Sequence, residues 1–451
     1  MNLKKRIITI PAVMSVCAMS VCASCGSDGT EPVPDNPGGD PSGGGVAQAE
    51  TSVIYEANPR FFARTGALRE IENQLPRISR MGCDVLWIMP LFEPGEVKSV
   101  GSPYCIKDYK KINPAYGTDA DLRSLIAKAH ALHMKVILDW VANHTSFDNV
   151  WTITNPERYV IDANGEISAT KDWADVAQLN YNVASTGEGM IEAMEYWVKE
   201  FGIDGYRCDY TEGVPHSFWS EAVASLRKID PELIMLAETS KSDFYADGFD
   251  MIYDWNFSPA MSKAYGSGKK PGFVADARAT IGSLPDGKSI LRYAFNHDVA
   301  AENALDRYFG TSRGVTGAYL LATMLGGTPM IYSGMDAEGV SGKLSFFDYR
   351  PLDFSDTLTE EYAAINSVFK STADVRGGKF SDYSVPDVAV FTYSGAGKTL
   401  LVMVNMADRE ESVRTPIQLS GETMEELFSH TEGSLPVSIN LQPYEYKVYI
   451  K

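Results

Sequence analysis

From about Thr51 onward, apolar residues follow two alternating patterns. Short runs such as "SVIYEA", "DVLWIMP", "KVILDWV", "GIDGYRCD", "LIMLAE", "DMIYDW", "SILRYAFNHD" and "PMIYSG" read as eight strands buried on both faces. Longer stretches between them, among them "ALREIENQLPRISRMG", "DADLRSLIAKAHALHM", "HSFWSEAVASLRKI" and "GVTGAYLLATML", space their apolar residues at the helical period. Pro76 interrupts the first of these helices and Gly82 is its stop. Eight strands with intervening helices predict an α/β chain, a (β/α)8 TIM barrel over residues 51–372. Between the third and fourth strands lies an excursion, 145–181, whose "RYVIDANGEIS" predicts a hairpin around Asn164 and Gly165. From 373 to 451 the period changes to two, in "DVAVFTYSG", "TLLVMVNMAD" and "YEYKVYIK", which predicts a C-terminal all-β sandwich domain.

The first fifty residues follow neither pattern. Lys4, Lys5 and Arg6 precede an apolar run that ends in "VCASCG", small residues followed by Cys25. Residues 1–25 resemble a bacterial lipoprotein signal, which would make Cys25 the lipidated first residue of the mature chain. The alternative is an ordinary secretory signal cleaved nearby. Residues 26–50, rich in Gly, Pro, Ser and Asp, lack apolar side chains to bury and read as a flexible tether. The expected location is therefore the outer membrane, on its periplasmic or its surface face, with the lipid as the sole membrane contact.

Composition narrows the partners. A net charge of −19 opposes nucleic-acid binding, because phosphates would be repelled. A neutral ligand such as a sugar is compatible with it. Three of the six cysteines, Cys17, Cys22 and Cys25, fall in the signal segment. The others, Cys83, Cys105 and Cys208, are odd in number and lack metal-ligand spacing, so no disulfide framework is expected.

The chemistry gathers at the predicted C-terminal strand ends, where barrels of this kind build their pockets. Strand 3 ends in Asp139, then Asn143 and His144. Strand 4 ends in Arg207 and Asp209, strand 5 in Glu238, and strand 7 in Asn296, His297 and Asp298. Three carboxylates around one pocket suit glycosidic bond cleavage: one attacks the anomeric carbon, one protonates the leaving oxygen, and one steadies positive charge on the ring. Arg207 lies two residues from Asp209, on the same side of a regular strand, where it would keep that carboxylate ionised. Cys208 between them would point the other way and pack.

The motifs "DWVANH" (139–144), "GYRCD" (205–209), "LAE" (236–238) and "FNHD" (295–298), in that order, resemble the four short motifs of the alpha-amylase family of glycoside hydrolases. "IYEANPR", "GCDVLWIMPLFEP", "SPYCIKDYKKINPAYGT" and "GTPMIYSGMDAEG" extend the resemblance along the barrel. The resemblance implies Asp209 as nucleophile, Glu238 as general acid and then base, and Asp298 as binder of sugar hydroxyls and stabiliser of the transition state. It places Tyr104, His144, Arg207 and His297 around the first sugar, with Asp139 and Asn143 as structural support. A retaining mechanism would set the Asp209 and Glu238 carboxyls about 5–5.5 Å apart. Trp87 reads as core, Trp255 as a residue able to reach the cleft, and Trp151 and Trp173 as platforms or packing.

Two departures bear on cofactors. Many family members hold calcium between the barrel and the excursion, using an asparagine, an aspartate before "LN" and a histidine four places after the nucleophile. Asn143 is present here, but the other two positions are Gln178 and Gly213. Loss of a charged oxygen ligand predicts a calcium site that is absent or weak, and no metal or other cofactor is required. "CDYTEGVPHSFW" is similar to the version found among maltodextrin-processing members. The function implied is retaining hydrolysis of α-glucosidic bonds, α-1,4 first, in starch-derived glucans or maltodextrins. The alternatives are transglycosylation or α-1,6 cleavage on the same scaffold, and a surface glucan-binding lipoprotein without turnover.

Cys25→Ser is expected to move the protein from the membrane fraction to the soluble fraction and abolish lipid labelling. Unchanged membrane fractionation would contradict a lipid anchor at this residue.

Overall fold

The computed structural model describes residues 51–451. The expected signal, tether and Cys25 lipidation site lie outside the described residues. Eight parallel strands close into a barrel: β1 (Ile54–Ala57), β2 (Val85–Ile88), β3 (Lys135–Val141), β4 (Gly205–Asp209), β5 (Ile234–Ala237), β6 (Met251–Tyr253), β7 (Ser289–Tyr293) and β8 (Thr328–Tyr332). Each strand pairs with its neighbours in chain order, and β8 returns to β1. Nearly every strand residue is buried, because one face fills the barrel and the other meets helices.

The outer helices follow the sequence pattern, with informative exceptions. Ala67–Arg80 runs through Pro76. Asp119–Ala131 starts at a Thr118–Asp121 capping box, each side chain taking the other's backbone N–H. Ala184–Phe201 and His216–Ile229 flank β4. Between β5 and β6 there is only a short 3-10 turn, Ser242–Asp247, where a helix would be ordinary. Between β6 and β7 the helix is split into Phe257–Ala264 and Phe273–Gly282.

Eight further strands follow the barrel: β9 (Lys379–Asp382), β10 (Val388–Gly395), β11 (Lys398–Asn405), β12 (Glu411–Arg414), β13 (Thr423–Glu426), β14 (Thr431–Ser434), β15 (Ser438–Leu441) and β16 (Tyr446–Ile450). They form a six-stranded antiparallel sheet, ordered β9-β10-β11-β16-β13-β14, and the pair β12-β15. Alternation explains why β10 and β11 carry apolar residues on both faces. Phe391, Tyr393, Leu400, Val402 and Val404 join the barrel's core, while Val388, Val390, Leu401 and Met403 face a second core with Val413, Ile439 and Leu441. Helix Ser312–Met324 lies between the barrel and this sheet and is buried from Gly314 to Met324. Tyr393 Oη donates to the Met324 carbonyl at 2.8 Å across that junction.

The excursion after β3 is small. His144 pairs antiparallel with Gln178, and further bridges join Tyr159 to Leu179 and Ile161 to Ile167. The turn falls at Asn164 and Gly165, with Asp162 Oδ1 accepting from the Asn164 and Glu166 amides and Gly165 at φ 84°. No helix among the described residues is long and apolar enough to cross a membrane.

Candidate active site

Strand register builds the centre of the site. Asp139 on β3 lies beside Arg207 on β4, and Arg207 lies beside Leu236 on β5. Neighbours in a parallel pair share a face, so Asp139 and Arg207 both project into the barrel, while Trp140 and Cys208 turn outward and are fully buried. Arg207 has no solvent exposure. Its Nη1 donates to Asp139 Oδ1 at 2.8 Å and to Asp209 Oδ1 at 3.1 Å, and its Nε donates to Tyr253 Oη at 3.1 Å. Its Nη2 lies 2.8 Å from Glu238 Oε1 as an ion-pair contact, without hydrogen-bond alignment. Trp87, expected in the core, is there, and it also donates its indole N–H to Asp139 Oδ2 at 3.2 Å beneath the guanidinium.

Asp209 and Glu238 thus meet at one cation, and both remain partly reachable from the cleft. The residue between Asp209 and the following turn, Tyr210, is left-handed at φ 39° and ψ 53°, a conformation non-glycine residues adopt sparingly. That turn aims the Tyr210 amide at Glu238 Oε2, 2.6 Å away. Burial pushes the Glu238 carboxyl up to about 8, helped by the charges of Asp209 and Asp298 and opposed by Arg207. Burial raises Asp209 as well, but Arg207 and then His144 pull it back. Burial thus works against the charge of both carboxyls, while Arg207 favours it in each.

A second group of residues forms one wall. Tyr104 and His297 are both buried and their rings stack at 5.6 Å. Tyr104 Oη is 3.2 Å from Asp139 Oδ2 and 2.9 Å from His297 Nε2. Asp298 stands more open, with its Oδ2 3.3 Å from both His297 Nε2 and Asn296 Nδ2. Asn296 in turn caps the helix His297–Glu302 by accepting from the Val299 amide, which fixes the strand-to-helix turn carrying both residues. His144 is buried near Asp209, and its Nδ1 is 3.2 Å from Asn143 Nδ2. Burial lowers its basicity, while Asp209 and a hydrogen bond to the Tyr104 backbone oppose that.

The sequence reading missed Glu56. It lies at the end of β1, fully buried, with Oε1 2.6 Å from His297 Nδ1. "IYEANPR" carried the signal, since a carboxylate in a strand buried on both faces needs a partner. The tryptophans divide. Trp173 sits edge-on to Tyr210 at 4.9 Å and 5.7 Å from His144, at the rim of the site. Trp151 lies between Tyr109 and the Arg158 guanidinium and acts as packing. Trp255 is half-buried against Tyr253 and Tyr293.

The calcium cradle is filled by protein. Gln178 Nε2 donates to the Asn143 carbonyl at 3.0 Å, Asn143 Oδ1 at 3.3 Å and the Leu179 carbonyl at 3.2 Å. One amide nitrogen thereby takes up three oxygens of the kind a hard cation would need. A Cβ on Gly213 would lie 2.5 Å from Asn143 Oδ1 and from the Tyr210 ring, so a histidine there has no room while Tyr210 keeps its place. The residues present do not fit calcium. No cluster of three or more His, Cys, Asp or Glu suited to a metal occurs among the described residues.

Comparison with known proteins agrees with this architecture. Residues 39–175 match the model of the alpha amylase catalytic domain. An alpha-amylase (MalA) of Haloarcula japonica is 29% identical over 69% of this chain and 48% of its own length. A cyclomaltodextrinase of a Bacillus species is 26% identical over 61% of this chain and 53% of its own length. The chain spans about half the length of these two relatives. A solved alpha-amylase from Lactobacillus plantarum superposes with a TM-score of 0.79 at 26% identity, covering 90% of this chain and all of that one. The barrel, the strand-end carboxylates and these likenesses agree in making the chain similar to the alpha-amylase family of glycoside hydrolases.

Proposed function

We propose that this protein hydrolyses α-glucosidic bonds in starch-derived glucans or maltodextrins with retention of configuration. One observation carries the reading. Two carboxyls, Asp209 and Glu238, meet at the one buried Arg207 at the mouth of the barrel, and burial pushes Glu238 up to about 8, with the charge of Asp209 beside it. In the first step an Asp209 oxygen attacks the anomeric carbon as the glycosidic bond breaks. Glu238 passes its proton to the departing oxygen, which leaves a β-linked glycosyl ester on Asp209. In the second step Glu238, now a carboxylate, takes a proton from water, and that water releases the sugar. Asp298 holds hydroxyls of the same ring and offsets its developing positive charge.

The leaving-group side is the side of Glu238, and there the Tyr210 ring is partly exposed against Trp173. Two aromatic faces suit the apolar face of a departing glucose unit. The relatives' printed names, alpha-amylase and cyclomaltodextrinase, favour α-glucans as substrates. The reading requires no metal, since Gln178 occupies the cradle where other members would place one.

Maltoheptaose incubated with the wild type is expected to give shorter maltodextrins by chromatography, and Asp209→Asn to lose at least about 10³-fold in rate with its fold intact. Substantial activity in that variant would remove Asp209 from the nucleophile's role. Because Glu238 must carry its proton, kcat/KM should hold below pH 8 and fall as pH rises through about 8. An alkaline limb near the ordinary carboxyl range, about 4–5, would refute the assignment. Treatment with EDTA should leave both rate and melting temperature unchanged. A loss restored by added calcium would show that the cradle takes a cation after all.

A further inference from the structure

We propose that Glu56 is a positioning residue of the reaction: it holds His297 as a doubly protonated imidazolium against the sugar-binding wall. The proposal rests on the reading of this cleft as a glycosidase site, and it begins from the hydrogen-bond geometry. Asp139 Oδ1 accepts from Arg207 and its Oδ2 from Trp87, so Asp139 is a carboxylate and can only accept. The Tyr104 hydroxyl has one proton, which goes to Asp139 Oδ2. Its oxygen then accepts from His297 Nε2 at 2.9 Å. On the other side of the ring, Nδ1 meets Glu56 Oε1 at 2.6 Å. Both ring nitrogens therefore act as donors, which only the charged ring can do.

Every titratable or charged group facing this ring can be named. Glu56 comes from β1, Tyr104 from the loop before the strand Ile106–Ile112, Asp139 from β3, Arg207 and Asp209 from β4, and Asp298 from the ring's own segment. Trp87 and Phe346 close the remaining edges with apolar faces. Burial works against the ring's charge, but Asp298 and Glu56 outweigh it and raise the imidazole to about 9. Arg207 opposes them. Glu56 itself is fully buried with Oε2 unpartnered; burial raises its carboxyl, and His297 first, then Arg207, favour its charge.

The consequence reaches the reacting carboxylates. The imidazolium lowers the proton affinity of Asp139 and Asp209, helping both stay charged in a buried site. It also gives Asp298 a fixed partner at the sugar-binding wall. Glu56 is argued to act through His297, its one hydrogen-bond partner among the described residues.

Glu56→Gln keeps the shape and one acceptor but removes the charge. In the wild type the His297 imidazole, followed by nitrogen-15 NMR and assigned with His297→Asn, should remain doubly protonated through pH 8. In Glu56→Gln it should titrate near the ordinary histidine value of about 6.5. The alkaline limb of kcat/KM should move acidward by about one pH unit or more. The variant should then approach wild-type activity near pH 5.5 and lose at least about tenfold at pH 8. Glu56→Asp, which restores the charge, should recover part of the limb. A wild-type imidazole that is neutral at pH 7.5 would overturn the proposal. So would a Glu56→Gln variant with equal loss at every pH and His297 still charged. The NMR readout needs no substrate. A charged His297 in a protein that leaves maltodextrins untouched would count against the proposed function and leave the Glu56–His297 pairing standing.

Discussion

Arg207 is a cation with no exposure, and the site is arranged around that fact. A buried guanidinium is tolerated only when its donors meet acceptors, and losing one partner of such a pair costs about 3–5 kcal/mol. Asp139 and Asp209 supply acceptors from two adjacent strands, Tyr253 supplies a third, and Glu238 adds a contact from β5. Among the described residues, five carboxyl groups, Glu56, Asp139, Asp209, Glu238 and Asp298, gather around the Arg207 guanidinium and the His297 imidazole. So many carboxyls around so few cations work against ionisation in a buried site: Glu56, Asp139 and Asp209 are all raised by burial, and Glu238 is pushed up to about 8. The proposed role of Glu238 as general acid rests on that imbalance.

The same constraint explains why much of the site is legible in the sequence. A polar residue at the end of an apolar run has few reasons to be there, and Asp139, Arg207, Asp209, Glu238 and Asp298 each occupy such a place. The alternation of apolar strands and amphipathic helices gave the barrel, since its strands are buried on both faces. Period two likewise marked β10 and β11. What their sequence could not convey is that one face of that sheet completes the barrel's own core, because alternation reveals two faces and not what covers each.

Other features were hidden for physical reasons. Glu56 stands in "IYEANPR", but its partner His297 lies 241 positions away. Gln178 read as a missing metal ligand, whereas its amide supplies donors to three oxygens in place of a cation. Gly213 read as a lost histidine, yet its bareness is what lets the Tyr210 ring and the Asn143 amide approach. The left-handed turn at Tyr210 is invisible in a residue type that seldom adopts it, although it aims an amide at Glu238. Each of these depends on which side chains meet across the barrel, information that a one-dimensional pattern does not hold.

The account stands or falls on Asp209 forming a covalent bond to sugar. The direct measurement is to incubate the protein with a slowly released fluorinated α-glucosyl fluoride and map the adduct by peptide mass spectrometry. One glycosyl unit on the peptide containing Asp209, lost again as the intermediate hydrolyses, is the expected result. Turnover without any adduct, accompanied by product of inverted configuration, or an adduct on another carboxylate, would contradict it.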